Sequence, residues 1–348
     1  MKLLPLLFLF IAFNLHAEDN WPVISWQPPY NYDNPGKAVD YQPIEKASHP
    51  WRLCIAYPHL KDSYWLNVNY GMVEEAKRLG IEIQIVDAGG YPNLARQIEQ
   101  MQACNKNSSD ALIVGPVSFY GLTETVLPIA EKMPVLATVN DIASAGISAK
   151  AGVSWEGMGE MLGKYLAKQH PTSSKKTKIA WLPGPADSGW VMFSDRGFKA
   201  GIASSAIEIS VTKWGDTGKE IQRTLVQEVI ENHPDIEYIV GNALMAEAAI
   251  SVLREKDLNG HIKILSTYLT PGVFRGIRRG RIIATVTDSP VLQGRLSIDQ
   301  AVRILEKKPY LKHVGPKVVL LDMGNINHID LKHEFAPPSF HATFRVTN

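Results

Sequence analysis

The chain has 348 residues, 45% of them hydrophobic, and its 36 lysine and arginine residues nearly balance its 35 aspartate and glutamate residues. Nucleic-acid binding requires a basic excess that neutralises phosphates, so this composition, without any lysine- or arginine-rich stripe, argues against nucleic acid as a partner. A chain of this length exceeds the size at which one hydrophobic core keeps growing, and about two domains are expected.

The amino terminus has the pattern of a secretion signal. Lys2 precedes an apolar run from Leu3 to Phe13, and the small residue Ala17 stands before the acidic Glu18. An apolar run of ~10 residues is too short for a membrane anchor, so residues 1–17 are predicted to be a cleavable signal peptide. No later stretch reaches the ~18 apolar residues of a transmembrane helix, and no direct membrane insertion is expected.

Residues 18–50 are predicted to form an extended arm over the surface rather than a domain. Six prolines, from Pro22 to Pro50, interrupt every segment that could otherwise become a helix.

From residue 52 to residue 139 the sequence predicts four strands separated by helices. The first strand, residues 52–57, is an apolar run of the kind found in strands buried on both faces of a sheet. Apolar residues then recur at helical spacing up to Gly80. Further strands are predicted at 81–86, 111–115 and 133–139, with helices at 94–104 and from about Thr123.

The two cysteines, Cys54 and Cys104, fall in elements that neighbour each other in a parallel sheet. A disulfide between them is geometrically possible in an oxidising compartment, and two inert buried thiols are the alternative. A metal site needs more ligands than these two residues offer, so no metal is predicted.

The same alternation resumes after a helix at about 157–170. Strands are predicted at 178–182, 207–211, 238–240 and 262–266, with helices at 192–202, 219–232 and 243–254 between them. Strands alternating with helices indicate right-handed crossovers and parallel sheets covered by helices on both faces. The fold class is therefore α/β, with two doubly wound parallel-sheet lobes in tandem.

Ligands of such sheets bind at the carboxyl ends of the strands, so the loops that follow the strands should carry the site. Aromatic and acidic residues are concentrated there, which suits a small ligand with an apolar but electropositive surface. Arginine is scarce in these loops, which disfavours a sugar. The candidate ligand-binding residues are Asp62, Tyr64, Trp65, Tyr91, Trp155, Tyr268 and Asp288.

Each candidate also has a purely structural interpretation. The aromatic rings could instead pack in the core of the loops. Trp190 is a further but weaker candidate for ligand contact, and the same structural interpretation applies to it. Asp62 and Asp288 could instead cap the helices that follow them. The sequence contains no catalytic motif of the G-x-S-x-G, H-E-x-x-H or phosphate-loop type, so neither an enzyme nor a cofactor is predicted.

The order of elements from about residue 51 to residue 325 resembles the ribose-type (type I) periplasmic binding proteins. Local motifs narrow the resemblance to the members that work with a sensor histidine kinase for trimethylamine N-oxide. These motifs include Leu60-Lys-Asp-Ser-Tyr-Trp-Leu66, Ala88-Gly-Gly-Tyr91, Pro183-Gly-Pro185, His233-Pro-Asp-Ile236 and Tyr268-Leu269.

The resemblance implies two lobes joined by three crossings, near residues 140–155, 267–271 and 287–291. The expected first lobe comprises residues 51–150 plus 289–310, and the second comprises 151–288 plus 311–325. A helix at 293–306 would return to the first lobe, and residues 326–348 would form a separate tail.

The resemblance also implies a periplasmic protein that binds trimethylamine N-oxide in its cleft and signals through the periplasmic domain of the kinase. An amine oxide needs aromatic rings around its methylated nitrogen and a hydrogen-bond donor for its oxygen. The donor could be Trp65, Trp155, Tyr64 or Tyr268. The alternatives are a solute-binding protein that delivers a sugar or similar compound to an ABC transporter, and an exported enzyme that uses the same cleft.

Overall fold

The computed structural model describes residues 20–106 and 109–347, so the predicted signal peptide lies outside the described residues. The strands are β1 (Trp21–Ser25), β2 (Lys37–Tyr41), β3 (Arg52–Tyr57), β4 (Glu82–Asp87), β5 (Ala111–Val114), β6 (Val135–Thr138), β7 (Ala149–Ala151), β8 (Thr177–Leu182), β9 (Ile207–Thr212), β10 (Tyr238–Gly241), β11 (Lys263–Ser266), β12 (Ala284–Thr287), β13 (His313–Pro316), β14 (Val319–Asp322) and β15 (Arg345–Val346). The helices are α1 (Ser63–Leu79), α2 (Leu94–Lys106), α3 (Thr123–Ala130), α4 (Trp155–Gln169), α5 (Gly189–Ile202), α6 (Lys219–Asn232), α7 (Ala243–Glu255), α8 (Pro271–Arg278), α9 (Pro290–Leu305) and α10 (Leu331–Glu334).

The first lobe is built on a sheet with the strand order β15-β4-β3-β5-β6-β7-β13-β1-β2. Strands β4 to β13 in this order run parallel, and the antiparallel strands β15, β1 and β2 lie at its ends. Residues 53–57 of β3 are buried, as expected for a central strand covered on both faces.

The second lobe is built on a sheet with the order β14-β12-β11-β10-β8-β9. Its strands are parallel except for β14, which pairs antiparallel with β12. Two parallel-sheet lobes, each carrying helices, confirm the predicted α/β class.

The amino-terminal arm differs from the prediction of a segment laid over the surface. Strands β1 and β2 form a hairpin that extends the first sheet beyond β13. Trp21, Val23 and Tyr41 of the hairpin are buried against Leu292 and Leu296 of α9. Buried and more exposed side chains alternate along β1, so one face of the strand is buried. This burial stabilises the hairpin although prolines lie in and around it.

Two of the three expected crossings lie where the resemblance implied. The chain leaves the first lobe between β7 and α4, at residues 152–154, and returns between β12 and α9, at residues 288–289. The crossing expected at 267–271 is wrong, because those residues join β11 to α8 inside the second lobe.

The third crossing lies at residues 317–318, between β13 and β14. Strand β13 is hydrogen-bonded in parallel to β7. Residues 313–316 therefore belong to the first lobe, not to the second lobe as expected.

The carboxyl-terminal segment is not a separate tail. After β14 the chain passes over α9 through α10, and β15 then pairs with β4 of the first sheet. We call residues 331–346 the C-terminal strap. It is a fourth passage of the chain between the lobes.

Helix α1 carries two of the candidate aromatic residues and is fixed at both ends. The Asp62 side chain accepts a 3.0 Å hydrogen bond from the Trp65 backbone N–H, and Gly80 ends the helix with a φ of 70°. The helix also packs very closely on α9, since a Cβ atom at Gly71 would lie 2.0 Å from the carbonyl oxygen of Val291.

Cys54 of β3 and Cys104 of α2 are joined in a disulfide with a Cα separation of 5.8 Å. It ties α2 to the central strand of the first lobe. Among the described residues, no helix combines the length and the apolar character needed to cross a membrane.

Candidate ligand-binding site

Aromatic side chains from both lobes meet in a small cavity at the carboxyl ends of the parallel strands. The cavity volume is about 10 Å³. A cavity of this size holds about one water molecule, so the lobes are closed around it. The lining residues are Asp62, Tyr64, Trp65, Tyr91 and Asn140 from the first lobe and Trp155, Trp190, Thr217 and Tyr268 from the second.

The rings contact one another across the gap between the lobes. The centroid of Tyr64 is 5.2 Å from that of Tyr268, and the centroid of Tyr91 is 5.9 Å from that of Trp190. Trp155 and Trp190 are 5.3 Å apart and complete the wall on the second lobe. Aromatic faces carry partial negative charge, so a cavity bounded by such rings attracts a methylated, positively polarised group.

Six of the seven predicted binding residues line this cavity. Asp288 does not, which corrects its placement among the lining residues. It lies behind Tyr64 and accepts a 2.6 Å hydrogen bond from the Tyr64 hydroxyl. It is not the helix cap either, because Ser289 occupies the N-cap position of α9.

Three lining residues were not among the predicted binding residues. Trp190, the weaker candidate, lies in the first turn of α5 after β8, and Asn140 follows β6, so the rule that places ligands at strand ends points to both. Thr217 precedes α6, and its small hydroxyl gives no distinctive signal in the sequence.

Three of the four predicted donors are already engaged within the protein. The Trp65 indole N–H donates to the Tyr91 hydroxyl at 3.3 Å, and that of Trp155 donates to the Val139 carbonyl oxygen at 3.1 Å. The Tyr64 hydroxyl donates to Asp288. Tyr268 is the fourth predicted donor, and its ring lies 5.2 Å from that of Tyr64.

Tyr91 is a donor that the sequence did not suggest. Its hydroxyl oxygen accepts hydrogen bonds from Trp65 at 3.3 Å and from Asn140 at 3.1 Å. Both lone pairs of the oxygen are then used, which leaves the hydroxyl proton available to donate to a ligand. Burial raises the pKa of Tyr91, which keeps this proton in place. The indole N–H of Trp190 is also buried without a partner among the described residues.

Asp62 is the acidic residue among those that line the cavity. Asp62 lines the cavity while capping α1, and burial raises the pKa of Asp288 to about 6 although Tyr64 and Gln293 donate hydrogen bonds to it. Neither lysine nor arginine lines the cavity. Within the described ranges, no group of three or more His, Cys, Asp or Glu side chains is arranged to hold a metal ion.

Polar contacts also join the two lobes beside the cavity. Lys61 of the first lobe forms a 2.6 Å ion pair with Asp216 of the second lobe. The neighbouring His59 Nε2 lies 3.1 Å from the Thr217 hydroxyl. Burial lowers the pKa of His59, which favours its neutral form in this contact.

Two α/β lobes that close an aromatic cavity between them define a solute-binding protein of the periplasmic type. The family model described as "Periplasmic binding protein domain" matches residues 53–309, and the chain belongs to this family. This confirms the predicted family and agrees with the predicted periplasmic location.

Among known proteins, the chain is similar to the periplasmic protein TorT of Escherichia coli K12. The two are 36% identical over 301 residues, which cover 86% of each chain. A solved complex of TorT with the TorS sensor domain in the presence of TMAO matches with 40% identity and a TM-score of 0.77, covering 84% of this chain and 99% of that chain. These findings confirm the resemblance to the kinase-associated members.

A second solved structure is also similar. It is an ABC transporter solute-binding protein from Bradyrhizobium sp. BTAi1 with bound Bis-Tris, and it matches with 45% identity and a TM-score of 0.79, covering 93% of this chain and 98% of that chain. The ribose import binding protein of Bacillus subtilis is 22% identical over 263 residues, covers 84% of that protein and 75% of this chain, and shows the shared fold alone.

Proposed function

We propose that this protein binds trimethylamine N-oxide between its lobes and, in the closed state, signals through the periplasmic sensor domain of a membrane histidine kinase. The observation that carries this proposal is the aromatic cavity, which is lined by rings from both lobes and by Tyr91, whose hydroxyl oxygen accepts two hydrogen bonds from the protein. The similarity to TorT supports the choice of ligand and of partner.

The chemistry of the ligand fits the chemistry of the cavity. Trimethylamine N-oxide carries a positively polarised, methyl-covered nitrogen and a strongly accepting oxygen. Each aromatic face attracts the nitrogen end by roughly 0.5–2 kcal/mol, and more when water is excluded. The Tyr91 hydroxyl donates to the oxygen, while Asp62 disfavours anions of similar size.

Ligand entry requires the lobes to part. The closed cavity has a volume of about 10 Å³, enough for about one water molecule, whereas trimethylamine N-oxide has five heavy atoms. The lobes therefore open about their crossings, admit the ligand and close on it, as hinge-type binding proteins do.

Isothermal titration calorimetry tests the proposal. Trimethylamine N-oxide is expected to give a saturable, one-site isotherm, whereas tert-butyl alcohol, which has the same shape but no positive nitrogen, should give no heat of binding. Calorimetry is preferable to thermal shift alone, because trimethylamine N-oxide at high concentration stabilises proteins generally by exclusion from their surface. Equal binding of both compounds would contradict the proposal.

The protein is proposed to bind its ligand without converting it. The ligand recovered from the complex should be unchanged, which nuclear magnetic resonance of the released compound can establish. Release of a modified compound would instead favour an enzyme.

The kinase part of the proposal predicts coupled binding. The affinity of the sensor domain for this protein should differ with and without trimethylamine N-oxide, and linkage requires a reciprocal change in ligand affinity. Identical sensor-domain affinity in the two titrations would show that ligand binding and sensor-domain binding are not coupled.

A second candidate function is delivery of a solute to an ABC transporter. The 45% identity to a transporter solute-binding protein with bound Bis-Tris favours this candidate specifically. Titration with Bis-Tris, ribose and galactose separates the two functions. Tight binding of any of these three, with none of trimethylamine N-oxide, would support transport.

A further inference from the structure

The C-terminal strap contacts both lobes and is anchored on the helix that carries the cavity residues Tyr64 and Trp65. The ring of Phe335 lies 5.5 Å from Phe274 of the second lobe. The Ala336 backbone N–H donates to the Asn67 side chain of α1 at 2.9 Å, and Thr343 exchanges two hydrogen bonds with Asn69. The strap is therefore a connection between the lobes and not a loose end.

Glu334 lies where the strap passes the crossing between β12 and α9. Its side chain is 3% exposed, and it accepts hydrogen bonds from the hydroxyl groups of Thr287 and Ser289. These two residues flank Asp288 on either side. Ser289 has a φ of 51°, in the left-handed region that residues other than glycine avoid, so the crossing needs support from its surroundings.

Asp288 connects this crossing to the cavity. It accepts hydrogen bonds from Tyr64 at 2.6 Å and from Gln293 at 2.7 Å, and it is completely buried. The Tyr64 ring in turn stands 5.2 Å from the ring of Tyr268, across the gap between the lobes. A continuous series of contacts thus joins Glu334 to the ligand cavity.

We propose that Glu334 is a positioning residue for the ligand site. By holding Thr287 and Ser289 it fixes Asp288, and Asp288 fixes the orientation of the Tyr64 ring against the bound ligand. This inference rests on the proposed function, because it assigns the strap a role in binding at the same cavity.

A purely structural role explains the buried carboxylate less well. Burial of a carboxylate is costly, and here it raises the pKa of Glu334 to about 7. Apolar contacts alone would hold the strap at lower cost, as Phe335 and Phe340 already do by packing against the core. The carboxylate is distinguished by its two acceptor oxygens, which bind one hydroxyl on each side of Asp288.

A double-mutant cycle tests the proposal through calorimetric titration with trimethylamine N-oxide. Glu334→Ala should weaken binding by about 5- to 10-fold, as expected for loss of one orienting hydrogen bond. In a Tyr64→Phe background the hydroxyl that Asp288 orients is absent, so Glu334→Ala should cause no further loss. Glu334→Gln keeps one acceptor oxygen and should restore affinity to within about threefold of the unmodified protein.

A matched control separates positioning from general attachment of the strap. Asn69→Ala removes the contacts of Thr343 without touching the crossing, so it should lower stability but leave ligand affinity unchanged. The proposal is overturned if Asn69→Ala weakens binding as much as Glu334→Ala does. It is also overturned if Glu334→Ala has the same effect with and without the Tyr64 hydroxyl.

The same variants test the inference if trimethylamine N-oxide proves not to be the ligand. The shifts in urea unfolding midpoint caused by Glu334→Ala and Tyr64→Phe should then be less than additive in the ligand-free protein. Additive shifts would show that Glu334 and Tyr64 are not coupled and would overturn the positioning role. Absence of ligand binding together with coupled shifts would overturn only the identity of the ligand.

Discussion

The hydroxyl of Tyr64 donates a 2.6 Å hydrogen bond to the buried carboxylate of Asp288, and this contact joins the aromatic cavity to the crossing between the lobes. Asp288 also has one carboxylate oxygen that is buried without a partner among the described residues. Burial raises its pKa from 3.8 to about 6. The ionised form is therefore disfavoured in the folded protein.

A pH-dependent effect on stability follows from this pKa. A raised pKa means that the folded protein binds the proton more tightly than the unfolded chain, so the contribution of Asp288 to stability falls as the pH rises from about 4 to about 6. Asp288→Asn mimics the protonated acid. Its urea unfolding free energy, relative to the unmodified protein, should increase over that interval by on the order of 1–3 kcal/mol. A difference that stays constant across the interval would contradict the assignment.

Tyr91→Phe tests the proposed donor to the ligand oxygen. The substitution removes the hydroxyl but keeps the ring, and affinity for trimethylamine N-oxide should fall by about 1–2 kcal/mol, or roughly 5- to 30-fold. Tyr120→Phe is a suitable control, because Tyr120 is 69% exposed and lies outside the cavity. Trp190→Phe removes a second candidate donor, the indole N–H that is buried without a partner among the described residues. If Trp190→Phe caused the larger loss, the indole N–H and not the Tyr91 hydroxyl would bind the oxygen.

Lys61→Ala should weaken closure of the lobes. The ion pair with Asp216 is partly exposed, and such pairs contribute about 0.2–1 kcal/mol. Ligand dissociation measured by stopped flow should therefore accelerate by no more than about fivefold, and the effect should disappear at high salt. Lys77→Ala is the matched control, since Lys77 pairs with Glu74 on the same helix. Equal acceleration in both variants would exclude a specific role of Lys61 in closure.

Removal of the disulfide should affect stability and not binding. Cys54 and Cys104 are separated by 50 residues, and closing a loop of that length restricts the unfolded chain. The Cys54→Ser, Cys104→Ser double variant should lose about 2–4 kcal/mol of unfolding free energy in urea. Its ligand affinity should be unchanged, because neither residue lines the cavity. A large loss of affinity would mean that the disulfide orders the site as well as the fold.

The sequence predicted those features of the fold that depend on local pattern. Continuous apolar runs identified β3 and β8, and the rule for strand ends placed six lining residues in one cavity. The position of β13 was missed, because a four-residue strand that contains Gly315 and Pro316 has no strand signal of its own. Its pairing with β7 is a long-range contact.

The role of Asp288 was missed for a different reason. The sequence places it after β12 but does not show the direction of its side chain, which is set by Tyr64 from a helix more than 200 residues away along the chain. The hydrogen-bonding role of Tyr91 could not be predicted either. It depends on two donors, Trp65 and Asn140, that meet only when the loops after β3, β4 and β6 are assembled.

The close approach of α1 and α9 determines where the molecule bends. A Cβ atom at Gly294 would lie 2.3 Å from the Val68 carbonyl oxygen, and a Cβ atom at Gly71 would lie 2.0 Å from the Val291 carbonyl oxygen. The two helices are therefore in direct backbone contact at both positions. Tyr64 on α1 must then travel as one rigid body with the base of α9. Rotation during ligand release is consequently concentrated in the short peptide segment between Thr287 and Pro290, which makes those few torsion angles the mechanical pivot on that side of the molecule.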